Sequence, residues 1–468
     1  LIVANADGLH RKAKDAGQFK DLLDGSYMSF GLSDSWCRGM TSDMSDGTNE
    51  VYYALFQNDQ GQKLYQYAYN PELSLKPEKE LTVYTLYDQA TINQAATLFQ
   101  KKHPDTMVSV HVACADTDDK EAETQRNRLM TSLAAGDGED VIVLSGLDDN
   151  ALAKKGVLMD LSDIVTPMEE NGELLQAIVD GEKAADGKQQ ILPVRFALPL
   201  LLSKEKRASE MTNLAALAKA AEQTDGSLLG TFTGEDLVET FAPYFMPDII
   251  KDKQLDTEKL STVLQELQTI AAHSDLIEKH KKGERASNEW NLPSAMQAVL
   301  CQISGFNDAM FDLAIINLVK GDYTSFENAY IPTVEIGVNA NTKQADLAKE
   351  FAAFVMSREV QDGDFYDGFP VNKESLHMQV SLDRSDYAAY TTIEGADGQE
   401  IGLDIEPIKA ADADKLEAIC DSLSKKTVKD AKVLEELEKA VPAYLLGRQS
   451  LDDTISKIQD GVKIYLAE

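Results

Sequence analysis

From Leu81 onward the chain alternates short apolar runs with amphipathic ones, and no other feature limits the fold as strongly. LTVYTL reads as a strand, Ile92, Ala95, Ala96 and Phe99 recur at helical spacing, and MVSVHVA is a second strand. The helix KEAETQRNRLMTSLAA follows and is stopped at Gly136, ahead of a third strand, VIVLSG. Strand-helix-strand units of this length make a parallel, doubly wound α/β sheet with right-handed crossovers. Ligands of such sheets bind at the carboxyl ends of the strands. Here those ends are Tyr87-Asp88-Gln89 and Ser145-Gly146-Leu147-Asp148.

Three other textures flank this core. Residues 1 to about 76 carry short β-type runs, EVYYALFQ and KLYQYAY among them, separated by turn signals at Ala6-Asp7-Gly8, Asp24-Gly25, Asp46-Gly47 and Asn58 to Gly61. This is antiparallel meander material, similar in size to one propeller blade and part of another. Pro71 and Pro77 mark a linker out of it. The region from about 198 to 330 is richer in helix, with NLAALAKAAEQ and TEKLSTVLQELQTIAAH interrupted by a Pro-flanked aromatic loop, FAPYFMPD. Strand texture returns at YIPTVEIGVNA, followed by the helix DLAKEFAAFVMSREVQ and the loop DGFPVNKESL. The chain ends in helices. In the last of them Leu451, Ile455, Ile458, Val462 and Tyr465 make one apolar stripe behind a capping-box start at Ser450 and Asp453.

Composition excludes some functions. The 79 acidic against 45 basic side chains leave a net charge of −34, which repels nucleic-acid phosphates and anionic membrane surfaces. Nucleic acid is therefore not an expected partner. The four cysteines, Cys37, Cys114, Cys301 and Cys420, lie far apart without a CxxC pair, so zinc signatures are absent and free or buried thiols are expected. No apolar run is long enough to span a bilayer. The start at Leu1 reads as a trimmed or mature fragment, with any signal segment or lipid-modified cysteine upstream.

Several stretches in series carry a resemblance. LTVYTLYDQATINQAATLFQKKHPD, AAGDGEDVIVLSGLDDNALAKKGVLMDLSDIV and ILPVRFALPLLLSKEK, then IGVNANTKQADLAKEFAAFVMSREVQ, GFPVNKESL and the terminal IYLAE, are similar to the extracellular solute-binding proteins of ABC importers, the sugar-binding type in particular. The resemblance covers roughly residues 80–468. It implies a type II periplasmic-binding-protein-like fold: two α/β lobes around a cleft, hinge strands, closure on a ligand and docking onto a membrane permease. The expected division is residues 1–76 as the β-meander, 80–197 with 331–378 as the first lobe, 198–330 as the second, and 379–468 as C-terminal helices packed on the lobes.

Candidate ligand contacts follow from position and chemistry. Tyr87, Asp88 and Gln89 follow the first strand, although Asp88 would serve equally as a helix N-cap. Asp148 and Asp149 follow the third strand, with the same alternative. Arg195 and Phe196 sit at the first expected hinge crossing, and an arginine among apolar residues needs either a ligand or an acidic neighbour. In the second lobe Tyr244 and Trp290 are candidate stacking platforms, each with core packing as the alternative. Ser304, Gly305 and Phe306 end the run AVLCQI, where glycine allows close approach, and Phe369 in GFP is similar. Only two tryptophans, Trp36 and Trp290, occur, which weakens a long-oligosaccharide reading; the expected ligand is a mono- or oligosaccharide.

Catalysis has no positive signal. The chain lacks GxSxG, GxxxxGK[ST], HExxH and a GxGxxG after a strand, and its six histidines are scattered. The acidic turn from Asp116 to Asp119 lacks the glycine and terminal glutamate of a calcium loop. Neither a cofactor nor a metal is expected. The expected function is capture of a carbohydrate and its delivery to ABC permease subunits by a monomeric, membrane-anchored extracellular lipoprotein. The alternatives are a peptide or other small-molecule receptor on the same scaffold, and a surface interaction protein whose cleft no longer closes.

Overall fold

In a computed structural model of the chain, the strands read around Leu81 form a parallel set. Lys79–Thr85 pairs in parallel with Thr106–Val112, with Val83 opposite Val110, and with Val141–Val143 on its other side, with Val83 opposite Val141. The structure describes all residues except 6–7, 26–27, 33–35, 44–50, 59–60, 69–76, 116–118, 252, 294–295, 385–386, 388, 395–398 and 468. The turns expected at Ala6-Asp7 and Asp46-Gly47, the linker at Pro71 and the start of the acidic turn at Asp116 lie outside these residues.

The chain divides into two compact units, residues 1–196 with 333–384 and residues 197–332 with 385–468. In the first, helix Ala90–Lys102 buries Ile92, Ala95, Ala96 and Phe99, the stripe read from their spacing. Phe99 meets Phe351 at 5.3 Å and Phe354 at 5.6 Å between ring centroids, which fixes helix Ala345–Val355 beside it. Each fully buried ring of this kind contributes on the order of 1.5–3 kcal/mol. Asp140 ties the strand ends together: its carboxylate accepts from the Thr82 amide and hydroxyl, both at 2.8 Å, and from the Thr342 hydroxyl.

The N-terminal segment belongs to the same unit. Ile2–Asn5, Gly8–Arg11 and Lys20–Asp24 form one three-stranded antiparallel sheet, and Trp36–Asp43, Val51–Asn58 and Gly61–Ala68 form another. Neither has the four strands of a propeller blade among the described residues. Leu9, Phe30, Tyr52, Phe56 and Tyr67 make their small core, with Phe30 centred 5.1 Å from Phe56 and 5.4 Å from Tyr67.

The second unit is built mainly of helices around Leu237, Phe241, Leu264, Leu437, Ile458 and Val462, all wholly buried. Helix Gly234–Ile249 runs through the segment expected as a loop, FAPYFMPD, and through Pro243 and Pro247. A reciprocal box between Thr233 and Asp236 fixes its start, and Leu237, Phe241, Tyr244, Phe245 and Ile249 then fall on buried positions. That apolar face outweighs the donors lost at the two prolines. A Cβ on Gly234 would lie 2.7 Å from the Pro442 Cα, so the glycine allows helix Ala431–Leu445 to approach. The last helix, Leu451–Ala467, is capped as read: the Asp453 amide donates to Ser450 Oγ at 3.1 Å and Ser450 Oγ donates back to the Asp453 carboxylate at 2.7 Å. The other segment expected as a loop, DGFPVNKESL, contains a two-residue strand, Phe369–Pro370, and the first half of a helix, Lys373–Val380, capped by Asn372.

Candidate functional site

In the first unit the parallel pairing brings two strand ends side by side. Gly146 has φ +79°, and a Cβ there would stand 3.1 Å from Leu86 Cδ2 and 3.5 Å from Tyr87 Cε2, so the Tyr87 ring lies against this turn. The turn is held by Arg126, whose Nε donates to the Gly146 carbonyl at 2.7 Å, and by Ser145, whose hydroxyl donates to the Thr333 carbonyl at 2.7 Å. Tyr87 is half-buried and Asp88 exposed. Gln89, not Asp88, occupies the N-cap position of the following helix, and Asp88 accepts from the Asn93 side chain at 2.8 Å. Asp148 does cap a helix, Asp149–Lys154, through the Ala151 amide at 2.9 Å.

Arg195, Phe196 and Phe369 are core side chains of this unit, each 0% exposed. The short strand places Phe369 opposite Phe196 and Pro370 opposite Arg195, with the two phenyl rings 5.8 Å apart. Arg195 Nε donates to Thr91 Oγ1 and its Nη2 to the Val360 carbonyl, both at 3.1 Å, while the guanidinium sits 5.0 Å from the Phe365 ring centre. Thr91 in turn donates from its amide and hydroxyl to Asp367, both at 2.8 Å. Burial lowers the guanidinium to about 10, against the pull of Asp367, Asp364 and Asp362. Its Nη1 is buried without a hydrogen-bond partner, and the three aspartates act on it through their charge.

In the second unit Tyr244 is a helical core residue, its ring edge-on to Phe326 at 5.2 Å, and burial pushes its phenol upward. Trp290 lies in a one-turn helix, Glu289–Asn291, closed by reciprocal bonds between Asn288 and Asn291. This turn packs on strand Ala298–Ile303 and helix Phe306–Val319, with the half-buried indole 6.3 Å from the Phe311 ring. Ser304 is half-buried and its amide donates to Asp308 at 2.9 Å. Gly305 is extended ahead of the helix, and Phe306 is fully buried.

Sequence reading missed the acids of this helix. Asp312 is 6% exposed and its Oδ1 has no hydrogen-bond partner. Burial first, then the charges of Glu289 and Asp308, push its carboxyl well above the usual range. Burial also raises Asp308, partly offset by the Ser304 amide. Their signal was present: two aspartates four positions apart on one face of a mainly apolar helix.

Two other features could hold small ligands. Asp149, Glu182 and Glu335 in the first unit have carboxylate oxygens within 4.8 Å of one another, close enough to share a cation. In the second unit a pocket of about 420 Å³ is lined by Phe232, Asp236, His280, Arg285 and Asn288, with His280 Nε2 2.7 Å from Asp236. No disulfide joins any of the four cysteines. Among the described residues no helix is long and apolar enough to cross a membrane.

The model of one protein family, the bacterial extracellular solute-binding proteins, matches residues 85–362. The chain belongs to that family. No curated protein matches it. Among solved structures it is similar to an ABC substrate-binding protein from Listeria monocytogenes in complex with cycloalternan, at 15% identity over 83% of this chain and 99% of that one, TM-score 0.54. It is also similar to the sugar-binding protein MalE of Xanthomonas citri, at 15% identity, covering 83% and 97% of the two chains, TM-score 0.56. A third is the maltose/maltodextrin-binding domain MalE of Bdellovibrio bacteriovorus bound to maltotriose, at 12% identity, 83% and 100% coverage and TM-score 0.50. At these identities the likeness is one of fold, a two-lobed periplasmic-binding-protein-like α/β architecture, here preceded by the small antiparallel sheets. The solute-binding family member thus carries 84 residues ahead of the matched region, and both small sheets lie within them.

Proposed function

We propose that this family member captures a carbohydrate outside the cell and delivers it to the permease of an ABC importer. The family match across residues 85–362 carries the reading. The sugar-binding neighbours support the ligand class. Within the chain, Tyr87 and Trp290 are half-buried aromatics able to stack on the C–H face of a sugar ring. Asp88, Gln89 and Ser304 offer hydrogen-bonding groups to its hydroxyls. In this reading residues 80–197 with 331–378 act as one lobe, 198–330 as the other, and 379–468 pack on them. The protein acts as a monomer, held at the cell surface by a lipid anchor.

A thermal-shift screen against mono-, di- and oligosaccharides, with amino acids and peptides for comparison, tests this. A ligand at 100 times its dissociation constant adds about 2.7 kcal/mol to the native state. A rise with one class of sugar, weakened in Tyr87→Ala and Trp290→Ala, supports the reading. A response to peptides alone overturns the carbohydrate assignment, and silence throughout favours a surface interaction protein.

A further inference from the structure

Resting on the carbohydrate-receptor reading, we infer that the second unit selects solutes bearing a positive charge, aminated sugars over neutral ones, through Asp312, Asp308 and Glu289. The inference starts from Asp312. Its carboxyl is 6% exposed, one of its oxygens lacks a hydrogen bond, and the charged groups around it, Glu289 and Asp308, are both acidic. The fourth titratable group is the Cys301 thiol, on strand Ala298–Ile303, which lies against the same carboxyl and donates to the Leu200 carbonyl at 3.5 Å. Buried carboxyls are ordinarily matched by donors or cations. Here three acids gather from two elements, the turn Glu289–Asn291 and helix Phe306–Val319.

Two of the acids adjoin the proposed solute contacts. Glu289 precedes Trp290, whose ring packs on Phe311 of the helix that carries Asp312, and Asp308 accepts from the Ser304 amide. A sugar hydroxyl reaching this group would bring one donor and no charge. An ammonium brings three donors and the missing charge. A bare metal ion fits less well, because among the described residues the carboxylates converging within 4.8 Å are Asp149, Glu182 and Glu335, not these three. Solute charge would thus be read next to an aromatic platform.

The test is isothermal titration of the full chain with matched pairs at about pH 6, where the sugar amine is protonated. Glucosamine is compared with glucose, and glucosamine oligomers with cellodextrins of equal length. The expected result is about tenfold or tighter binding of the aminated member. That ratio should fall toward one in Asp312→Asn and in the milder, half-buried Glu289→Gln, with folding checked by circular dichroism. Heats that vary with buffer ionisation enthalpy, showing proton release in the wild type and less in Asp312→Asn, support the same assignment. Equal or tighter binding of the neutral member overturns the inference and leaves the carbohydrate reading standing. Binding of neither member, nor of any other carbohydrate, overturns both. Stabilisation by Ca²⁺ alone that is lost in Asp312→Asn makes the group a metal site and overturns the solute selection.

Discussion

Replacing Asp364 by asparagine should destabilise the first unit by about 3–5 kcal/mol. Asp364 pairs with Arg384 at 2.9 Å, and the two side chains are only 4% and 5% exposed. Arg384 also donates to the Gln379 carbonyl at 2.7 Å, and the Gln379 side chain is itself bonded to the Gly363 carbonyl at 2.9 Å. An asparagine keeps the shape and removes the charge, so the guanidinium stays buried beside a neutral amide. The penalty is the desolvation of that cation, no longer offset by its counter-ion. A surface pair gives the contrast. Lys188 and Asp186 meet at 2.6 Å but are 53% and 56% exposed, and Asp186→Asn should leave the unfolding midpoint nearly unchanged. The double variant Asp364→Leu/Arg384→Met should be close to wild type, because it removes both ions from the apolar surroundings. Urea unfolding followed by circular dichroism measures all three changes. In a Trp36→Phe background, Trp290 fluorescence reports the second unit alone, since each unit holds one tryptophan. A loss below about 1 kcal/mol for Asp364→Asn, or a double variant as unstable as the sum of the singles, would refute the reasoning.

Gly368→Ala should cost about 2–4 kcal/mol, because φ is +143° and the new Cβ would meet Thr333 Oγ1 at 2.4 Å and the Phe196 amide at 2.9 Å; a thermal melt checks it. Thr233→Ala removes the reciprocal cap of helix Gly234–Ile249 and should cost about 1 kcal/mol by urea unfolding. Asp312→Asn should stabilise the ligand-free protein by about 1–3 kcal/mol at neutral pH. The sign follows from the raised carboxyl: wild-type stability falls as pH climbs through the unfolded value near 3.9 and on to the folded one, whereas asparagine does not titrate. The advantage should therefore vanish below about pH 4 in melts across the acid range. Deleting residues 1–76 should leave sugar binding within about threefold of wild type in titration, since the aromatic core of those sheets is their own.

What was legible depended on whether a local pattern decides the outcome. The parallel strands were readable because each is a short apolar run followed by a helix with its own stripe. From their pairing it followed that Tyr87 and Gly146 lie together at adjoining strand ends. Segment FAPYFMPD misled because proline is a local breaker signal, while the apolar face that keeps Tyr244 helical is satisfied by distant partners such as Phe326. Phe196 and Phe369 looked like aromatic contacts for a solute, yet each fills the other's neighbourhood across a strand pair that no local window contains. Arg195 stood out as a cation among apolar residues, but its link to Thr91, and through Thr91 to Asp367, depends on three segments far apart in the chain. Candidate residues chosen for chemistry alone thus divided between half-buried faces, as at Trp290 and Ser304, and core.

The acidity of the chain shows the same division between diffuse and local effects. A net charge of −34 raises the concentration of any cation near the surface and speeds its arrival, and salt screens that effect within about 8–10 Å. Such a field cannot distinguish one cationic solute from another. Asp312 differs from most of the 79 acids because it is removed from water before the solute comes. Its interaction with a charge is therefore little screened and depends on position. Raising the salt concentration should then slow association with an aminated sugar while leaving most of its preference over the neutral partner intact. A preference that disappears with salt would instead belong to the surface as a whole, and the buried carboxyl would have no part in selection.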